Sequence, residues 1–251
     1  MTHTFDKLRL DGICHSFTIA SGEQKPLFDK LNLSVKTADV VAIVGASGVG
    51  KTTLFNIASG LITPQAGKVL IDGQDRTGQA GHVGYMLQKD LLLPFKSVYD
   101  NIALPLVLQG VSKTQIHAQI HRHQAEFGLD GLLSKYPQTL SGGQKQRAAL
   151  LRTYLSNDHL MLLDEPFSAL DYVTKTQMYD WFRRFQQSLG LTCLIITHDI
   201  DEAMYLADYI YVLSGFPATL STPFIIPKQA DFLHSQASLQ LKRQILDAIA
   251  Q

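Results

Sequence analysis

Three runs of residues in this chain have the types and spacing to handle phosphate. The first, Gly45-Ala46-Ser47-Gly48-Val49-Gly50-Lys51-Thr52, spells G-x-x-x-x-G-K-[ST]. Its glycines let the backbone wrap closely, so that N–H groups point at phosphate oxygens. The helix start that follows adds partial positive charge. In such a loop Gly45, Ser47, Gly48 and Gly50, with Thr53 just beyond, line a triphosphate. Lys51 reaches its β- and γ-phosphates, and the Thr52 hydroxyl ligates Mg²⁺. The second run, Leu160-Met161-Leu162-Leu163-Asp164-Glu165, is an apolar stretch that stops on two acids. Alone it says little. Beside a phosphate loop, Asp164 is placed to hold Mg²⁺ through its water shell and Glu165 to orient and activate an attacking water. The third run, Leu140-Ser141-Gly142-Gly143-Gln144-Lys145-Gln146-Arg147, opens a helix with Ser141 as N-cap. Gly142 and Gly143 leave the first N–H groups uncovered, which makes a second phosphate site. One nucleotide has no evident need of two such helix starts.

The elements that must position these residues are legible from periodicity. Strand character fills the first 45 residues, with alternation over Leu27 to Val35 and a continuous apolar run over Val40 to Val44. The glycine-rich turn follows, then a helix over Lys51 to Ser59 and a short strand over Val69 to Asp72. From about 95 to 155 helical signals dominate, among them Lys113 to Phe127 and Gly142 to Leu155. Strand and helix then alternate again: Leu160 to Leu163, Thr174 to Leu189, Leu191 to Ile196, Asp201 to Ala207 and Tyr209 to Leu213. The tail from Phe232 to Ala250 reads as one amphipathic helix. Buried strands alternating with helices predict a doubly wound α/β core. The helical block predicts an inserted subdomain, giving a core over about 1–94 and 156–251 and a helical part over about 95–155.

The third run, Leu-Ser-Gly-Gly-Gln followed by x-Q-R, resembles the signature of the ABC (ATP-binding cassette) ATPases, and the resemblance extends over roughly residues 8 to 215. It implies a P-loop NTPase, RecA-like core with an N-terminal antiparallel β region and an inserted α-helical subdomain. It also answers the question of two phosphate sites: in that family Ser141, Gly142, Gly143 and Gln144 of one subunit close over ATP held by the phosphate loop of a second copy. Further positions fall in order. Phe17 matches an aromatic that stacks on adenine. Gln88 matches the Q-loop glutamine that senses Mg²⁺ and γ-phosphate. Ser168-Ala169-Leu170-Asp171 matches the D-loop that crosses the dimer interface, with Asp171 its acid. His198 matches the switch histidine that contacts γ-phosphate. The cofactors implied are ATP and Mg²⁺. The partners implied are a second copy, integral membrane permease subunits and, indirectly, an extracytoplasmic solute-binding protein. The place implied is the cytoplasmic face of the membrane, held peripherally.

LLLPFKSVYDNIALPL and the Ser-Gly-Phe-Pro segment at 214 to 217 resemble importer ATPases for nitrate, sulfonates, taurine and thiamine-precursor pyrimidines. Phe95 stands where that group often has Trp, and Ala38-Asp39 where it often has Gly-Glu. Leu91, Leu92, Leu93 and Phe95 are read either as the floor of a groove for a permease helix or as core packing.

Composition bounds the rest. The 251 residues are 45% hydrophobic and 18% charged, a globular profile. Lys+Arg and Asp+Glu balance at 22 each, so nothing favours nucleic acid as a general partner. Cys14 and Cys193 sit in apolar stretches and read as buried free thiols. His117, His121 and His123 read as a solvated helical face. Met1 to Leu10 has no apolar core of a secretory signal. Tyr209 to Pro227 is uncharged but broken by Pro217, Pro223 and Pro227, so it reads as a strand and an irregular segment and not as a membrane span. Rival readings are a soluble non-transport ABC ATPase, an exporter subunit, a GTPase or nucleotide kinase, and a non-hydrolysing scaffold. No Asn-Lys pair is present for a guanine-reading motif.

Overall fold

The computed structural model describes residues 6–18, 22–157, 160–229 and 232–250. Residues 1–5 of the N-terminal segment read for a signal lie outside the described residues. The chain opens with β1 (Asp6–Thr18) and β2 (Gln24–Lys36), an antiparallel pair. Next come β3 (Val40–Val44), α1 (Lys51–Ala58), β4 (Ala66–Ile71), β5 (Gln74–Asp75) and β6 (Gly84–Met86). Three helices follow: α2 (Val98–Leu108), α3 (Lys113–His123) and α4 (Gly142–Ser156). The chain then alternates through β7 (Leu160–Asp164), α5 (Tyr172–Leu189), β8 (Thr192–Ile196), α6 (Ile200–Leu206) and β9 (Tyr209–Ser214). Two short strands, β10 (Thr219–Leu220) and β11 (Phe224–Ile225), precede α7 (Gln236–Ile249).

Two sheets result. One is antiparallel, in the order β2-β1-β4-β5. The other runs β10-β9-β3-β8-β7-β6, with β3, β6, β7, β8 and β9 mutually parallel. Its central strands are buried on both faces, and the two faces belong to different cores. Val40, Ala42 and Val44 join Met161, Leu163, Cys193 and Ile195 in one cluster. Val41 and Ile43 join Leu160, Leu162, Leu194 and Ile196 in the other. A period of two along each strand therefore serves two layers at once, which is why these strands read as unbroken apolar runs. The second cluster is closed by α1 and the antiparallel sheet. The first is closed by α5, α6 and α7 and runs on without a break into the helical block, through Ile102, Leu106, Ile120 and Phe127. The inserted helices are thus seated on the core and share its interior.

Several expectations need correction. α3 stops at His123, four residues short, with the chain turning at Gly128. The tail is two pieces: a 3₁₀ turn over Phe232–His234, then α7 capped by Ser235. The cap hydroxyl takes the Ser238 N–H and so starts a new helix instead of continuing one. The segment after β9 is more ordered than its prolines suggest, because β10 and β11 both pair back onto β9. Cys193 is fully buried but Cys14 only half so, its sulfur accepting from the Lys30 N–H at 3.3 Å. His117 and His121 are exposed, with ring centroids 4.1 Å apart and planes tilted by 42°, whereas His123 turns inward against Tyr154. No helix among the described residues is long and apolar enough to cross a membrane.

The passage from β6 to α2 has no regular secondary structure, and one buried side chain organises its second half. The Asn101 carboxamide oxygen accepts from the Leu93 N–H at 2.7 Å. Its amide donates to the carbonyls of Leu93, Lys96 and Ser97 at 3.1, 3.2 and 2.9 Å. Asn101 is fully buried, so truncation strands several backbone groups away from water. Asn101→Ala is expected to lower unfolding stability by about 3 kcal/mol in urea titration. A change below about 0.5 kcal/mol would show that the tether carries no load.

Candidate functional site

The parallel strands deliver their carboxyl ends side by side. Register pairs Ile43 with Ile196, Ile196 with Asp164, and Leu163 with Met86. The residues just beyond those ends therefore meet along one edge, where ligands of open α/β sheets bind. β3 leads into the phosphate loop. Gly45 is required there, since a Cβ would sit 2.3 Å from the Leu213 carbonyl oxygen. Gly50 enters α1 with φ near +110° and is crowded by Leu27 and Phe28, so neither the conformation nor the space admits a side chain. Ser47, Gly48 and Thr52 are exposed and Thr53 half-buried. Lys51 is 8% exposed and bends back, donating to the Gly45 and Ala46 carbonyls at 2.8 Å each. Burial lowers its pKa, opposed by the nearby charges of Glu165 and Asp164.

Asp164 is the last residue of β7 and 7% exposed. Burial raises its pKa, the Glu165 charge raises it further, and the Thr52 hydrogen bond and Lys51 pull the other way. The Thr52 hydroxyl donates to its Oδ2 at 3.5 Å. Glu165 takes a left-handed conformation, φ near +47°, with its N–H bonded to the Ile196 carbonyl at 2.8 Å. A non-glycine residue at positive φ is a strained choice that the surrounding structure must enforce. Its carboxylate joins the other two candidates. Oε2 accepts from Gln88 Nε2 at 2.7 Å, and Oε1 lies 3.1 Å from His198 Nδ1. Glu165 thus bridges Gln88 and His198, the three coming from different strand ends.

The signature residues form a separate group. The Ser141 hydroxyl accepts from the Gln144 N–H at 3.3 Å, and Gln144 Oε1 accepts from the Ser141 N–H at 3.0 Å, a complete capping box. Ser141 and Gly142 are exposed. Gly143 is buried. A Cβ there would press on Thr174 of α5 at 3.1 Å, and one on Gly142 would press on Leu170 at the same distance. The signature thus packs against the start of α5, where Asp171 caps the helix by accepting from the Thr174 N–H at 3.1 Å. Phe17, near the end of β1, is 41% exposed. Of the apolar run after Gln88, Leu92 is core and Leu93 half-buried, while Leu91 and Phe95 are exposed.

A family profile described as ABC transporter matches residues 28–168. The chain belongs to the ABC transporter family. Its relatives include the uncharacterised ABC transporter ATP-binding protein YtlC of Bacillus subtilis, 39% identical over 222 residues, 88% of this chain and 85% of that one. The formylaminopyrimidine import ATP-binding protein ThiZ of Halalkalibacterium halodurans is 38% identical, over 84% of this chain and 82% of its own. The taurine import ATP-binding protein TauB of Escherichia coli K12 is 35% identical, over 87% and 86%. The bacterial cassette MJ0796 was solved as a dimer and also in a post-hydrolysis state with ADP and Pi. It superposes with a TM-score of 0.74 at 25% identity over 88% of this chain and the whole of that one. The chain is accordingly an ATP-binding and ATP-hydrolysing subunit of an ABC transporter.

Three residues escaped the sequence reading. Asn101 was hidden inside an apolar helical run. Arg152 of α4 donates to the Leu91 carbonyl at 2.9 Å and to that of Asp90, clamping the segment after Gln88. Its sequence signal was only one more cation on a helix that also carries Lys145 and Arg147. Glu202 of α6 is 1% exposed, and its Oε2 accepts from the hydroxyls of Thr197 at 3.2 Å and Tyr179 at 3.4 Å. It braces the turn that carries His198.

Burial, with Asp199 nearby, raises the Glu202 pKa from 4.5 to about 7, against the Thr197 and Tyr179 hydrogen bonds and the Lys175 charge. The folded state thus favours the protonated acid. Its contribution to stability is complete below pH 4.5 and is lost as pH rises toward 7. Glu202→Gln is expected to remove that loss, gaining up to about 3 kcal/mol on wild type between pH 4.5 and 8. Urea midpoints of both proteins across this range check it, and parallel pH profiles would overturn it.

Proposed function

We propose that the protein powers import of a small solute by closing, as a homodimer, over two ATP molecules. The observation that carries this reading is the contact of Gln88, Glu165 and His198 beside the phosphate loop, with Ser141 and Gly142 exposed on a separate surface. The first group holds a triphosphate from one side only, and the second is a built helix start with N–H groups to offer. Two copies facing each other bring Ser141 and Gly143 of one to the ATP of the other. The shared face of signature and D-loop, Gly142 on Leu170 and Gly143 on Thr174, lets Asp171 report on the same closure.

In this reading Gly45, Ser47, Gly48, Gly50 and Thr53 cradle the phosphates, Lys51 neutralises their charge, and Phe17 stacks on the base. The donors near Lys51 are all oxygens, the Thr52 hydroxyl and the buried Asp164 carboxylate, and this set fits a hard divalent cation such as Mg²⁺. Thr52, Asp164 and Gln88 are the residues to hold it, and bound there it supplies charge neutralisation for phosphoryl transfer. Glu165 orients the attacking water and accepts its proton. Its present partners, Gln88 and His198, are the groups that turn to the γ-phosphate when ATP enters.

Leu91, just before the helical block, and Phe95, Val107 and Leu108 within it leave apolar surface, at 51, 73, 57 and 79% exposure. That surface suits a permease subunit, fed in turn by an extracytoplasmic binding protein. The block over about 95–155 is the unit that moves with it, and the whole assembly places this chain at the cytoplasmic face of the membrane. The import names of ThiZ and TauB support this direction of transport.

Glu165→Gln is expected to bind ATP within about twofold of wild type while hydrolysis falls at least about 100-fold, and to accumulate as a dimer in ATP. Phosphate release and size-exclusion chromatography measure these. A variant turning over at the wild-type rate would remove Glu165 from the role. Lys51→Ala is expected to weaken ATP binding at least about tenfold. Unchanged affinity would remove the phosphate-loop assignment.

A further inference from the structure

We infer that Phe216 is a second base-binding residue, forming with Phe17 an aromatic corner for the purine of ATP. The inference rests on the reading of Phe17 as the stacking residue. The ring centroids of Phe17 and Phe216 are 6.3 Å apart, with planes 66° from each other. Both side chains are large, apolar and open to solvent, Phe17 at 41% and Phe216 at 59%.

Phe216 reaches this place because its turn is stitched to the phosphate loop from two sides. β9, which precedes it, pairs with β3 through Val212 and Val44. The Leu213 carbonyl then presses on Gly45. After the turn, the Ala218 N–H donates to the Leu27 carbonyl at 2.7 Å, and Ala218 bridges to Phe28. Leu27 and Phe28 are the residues packed over Gly50. Phe17 is held to the same frame, since it pairs with Lys25 two residues before Leu27. Both rings are therefore fixed relative to the start and the end of the phosphate loop.

Rings inclined at 66° cannot stack on each other. They form a corner, and a corner suits a flat heteroaromatic, one ring against its face and the other against its edge. Neither ring carries a hydrogen-bonding group, so the corner reads flatness and area. The phosphates are bound elsewhere, by backbone N–H groups and Lys51. A role in base binding therefore separates cleanly from a role in supporting the loop.

The test is equilibrium binding of ATP and of inorganic tripolyphosphate to the full chain. The set is wild type, Phe216→Ala, Phe216→Leu, Phe216→Tyr and Phe17→Ala, each checked for a cooperative thermal transition. Phe216→Ala and Phe216→Leu are expected to weaken ATP about 3- to 10-fold and to leave tripolyphosphate unchanged, with Phe216→Tyr restoring ATP to within about twofold. If Phe17→Ala weakens ATP while Phe216→Ala and Phe216→Leu do not, Phe216 has no part in base binding and the stacking role of Phe17 stands. Equal losses for ATP and tripolyphosphate place Phe216 in support of the loop and overturn the inference. If neither position affects ATP, the reading of Phe17 falls and the corner with it.

Discussion

The site depends on the turn that follows β7. There the chain must leave the sheet at Asp164, hold Glu165 at positive φ and aim its carboxylate sideways at Gln88 and His198. The hydrogen bond from the Glu165 N–H to the Ile196 carbonyl fixes this geometry by tying one strand end to the next. That bond exists only if β7 and β8 keep their parallel register, and the register is held by residues buried on both faces of the sheet. A slip of one residue would exchange the two cores and move every strand-end residue to the wrong place. Two hydrophobic layers far larger than the site therefore set the position of one carboxylate.

Electrostatics in the site are unfavourable in isolation, and this suits their use. Asp164 and Glu165 are adjacent acids, the first buried, with Lys51 close enough to feel both. Burial acts against the charged form of Asp164 and of Lys51 alike. A triphosphate and a divalent cation add opposite charges to such a place and relieve both penalties together. Affinity for the pair is then larger than the contacts of either suggest, and the protein's own charges stay in low dielectric, where they act strongly on the γ-phosphate.

The motifs were legible because they lie where backbone geometry forbids alternatives. Gly45 and Gly50 have no room for a side chain, and the strand before them is apolar because both of its faces are covered. Period and composition carried the strands for the same reason. What they could not carry was whatever a single side chain decides at a distance. Asn101 looks like any polar residue in an apolar helix, yet it ties the start of α2 back to Leu93, Lys96 and Ser97. The break before α7 hangs on the Ser235 hydroxyl, invisible in a stretch that otherwise keeps helical spacing. Gly143 is buried because α5 lies against it, a fact of tertiary packing that no local pattern holds.

These same distant contacts tie the strand ends of the site to the helical block. Gln88 touches Glu165 on one side, and a few residues later the chain is held by Arg152 through the carbonyls of Asp90 and Leu91. Arg152 lies on α4, the helix that begins with the signature. The α4 helix is tied to the other strand end as well, through Gln146 and the Pro166 carbonyl, next to Glu165. One helix thus grips both the segment after Gln88 and the loop that carries Glu165, while Ser141 caps its exposed start. If Gln88 exchanges Glu165 for the γ-phosphate, the displacement is delivered to the carbonyls that Arg152 holds. Because the interior of the helical block is continuous with that of the sheet, a displacement at those carbonyls would reach the block through packed side chains.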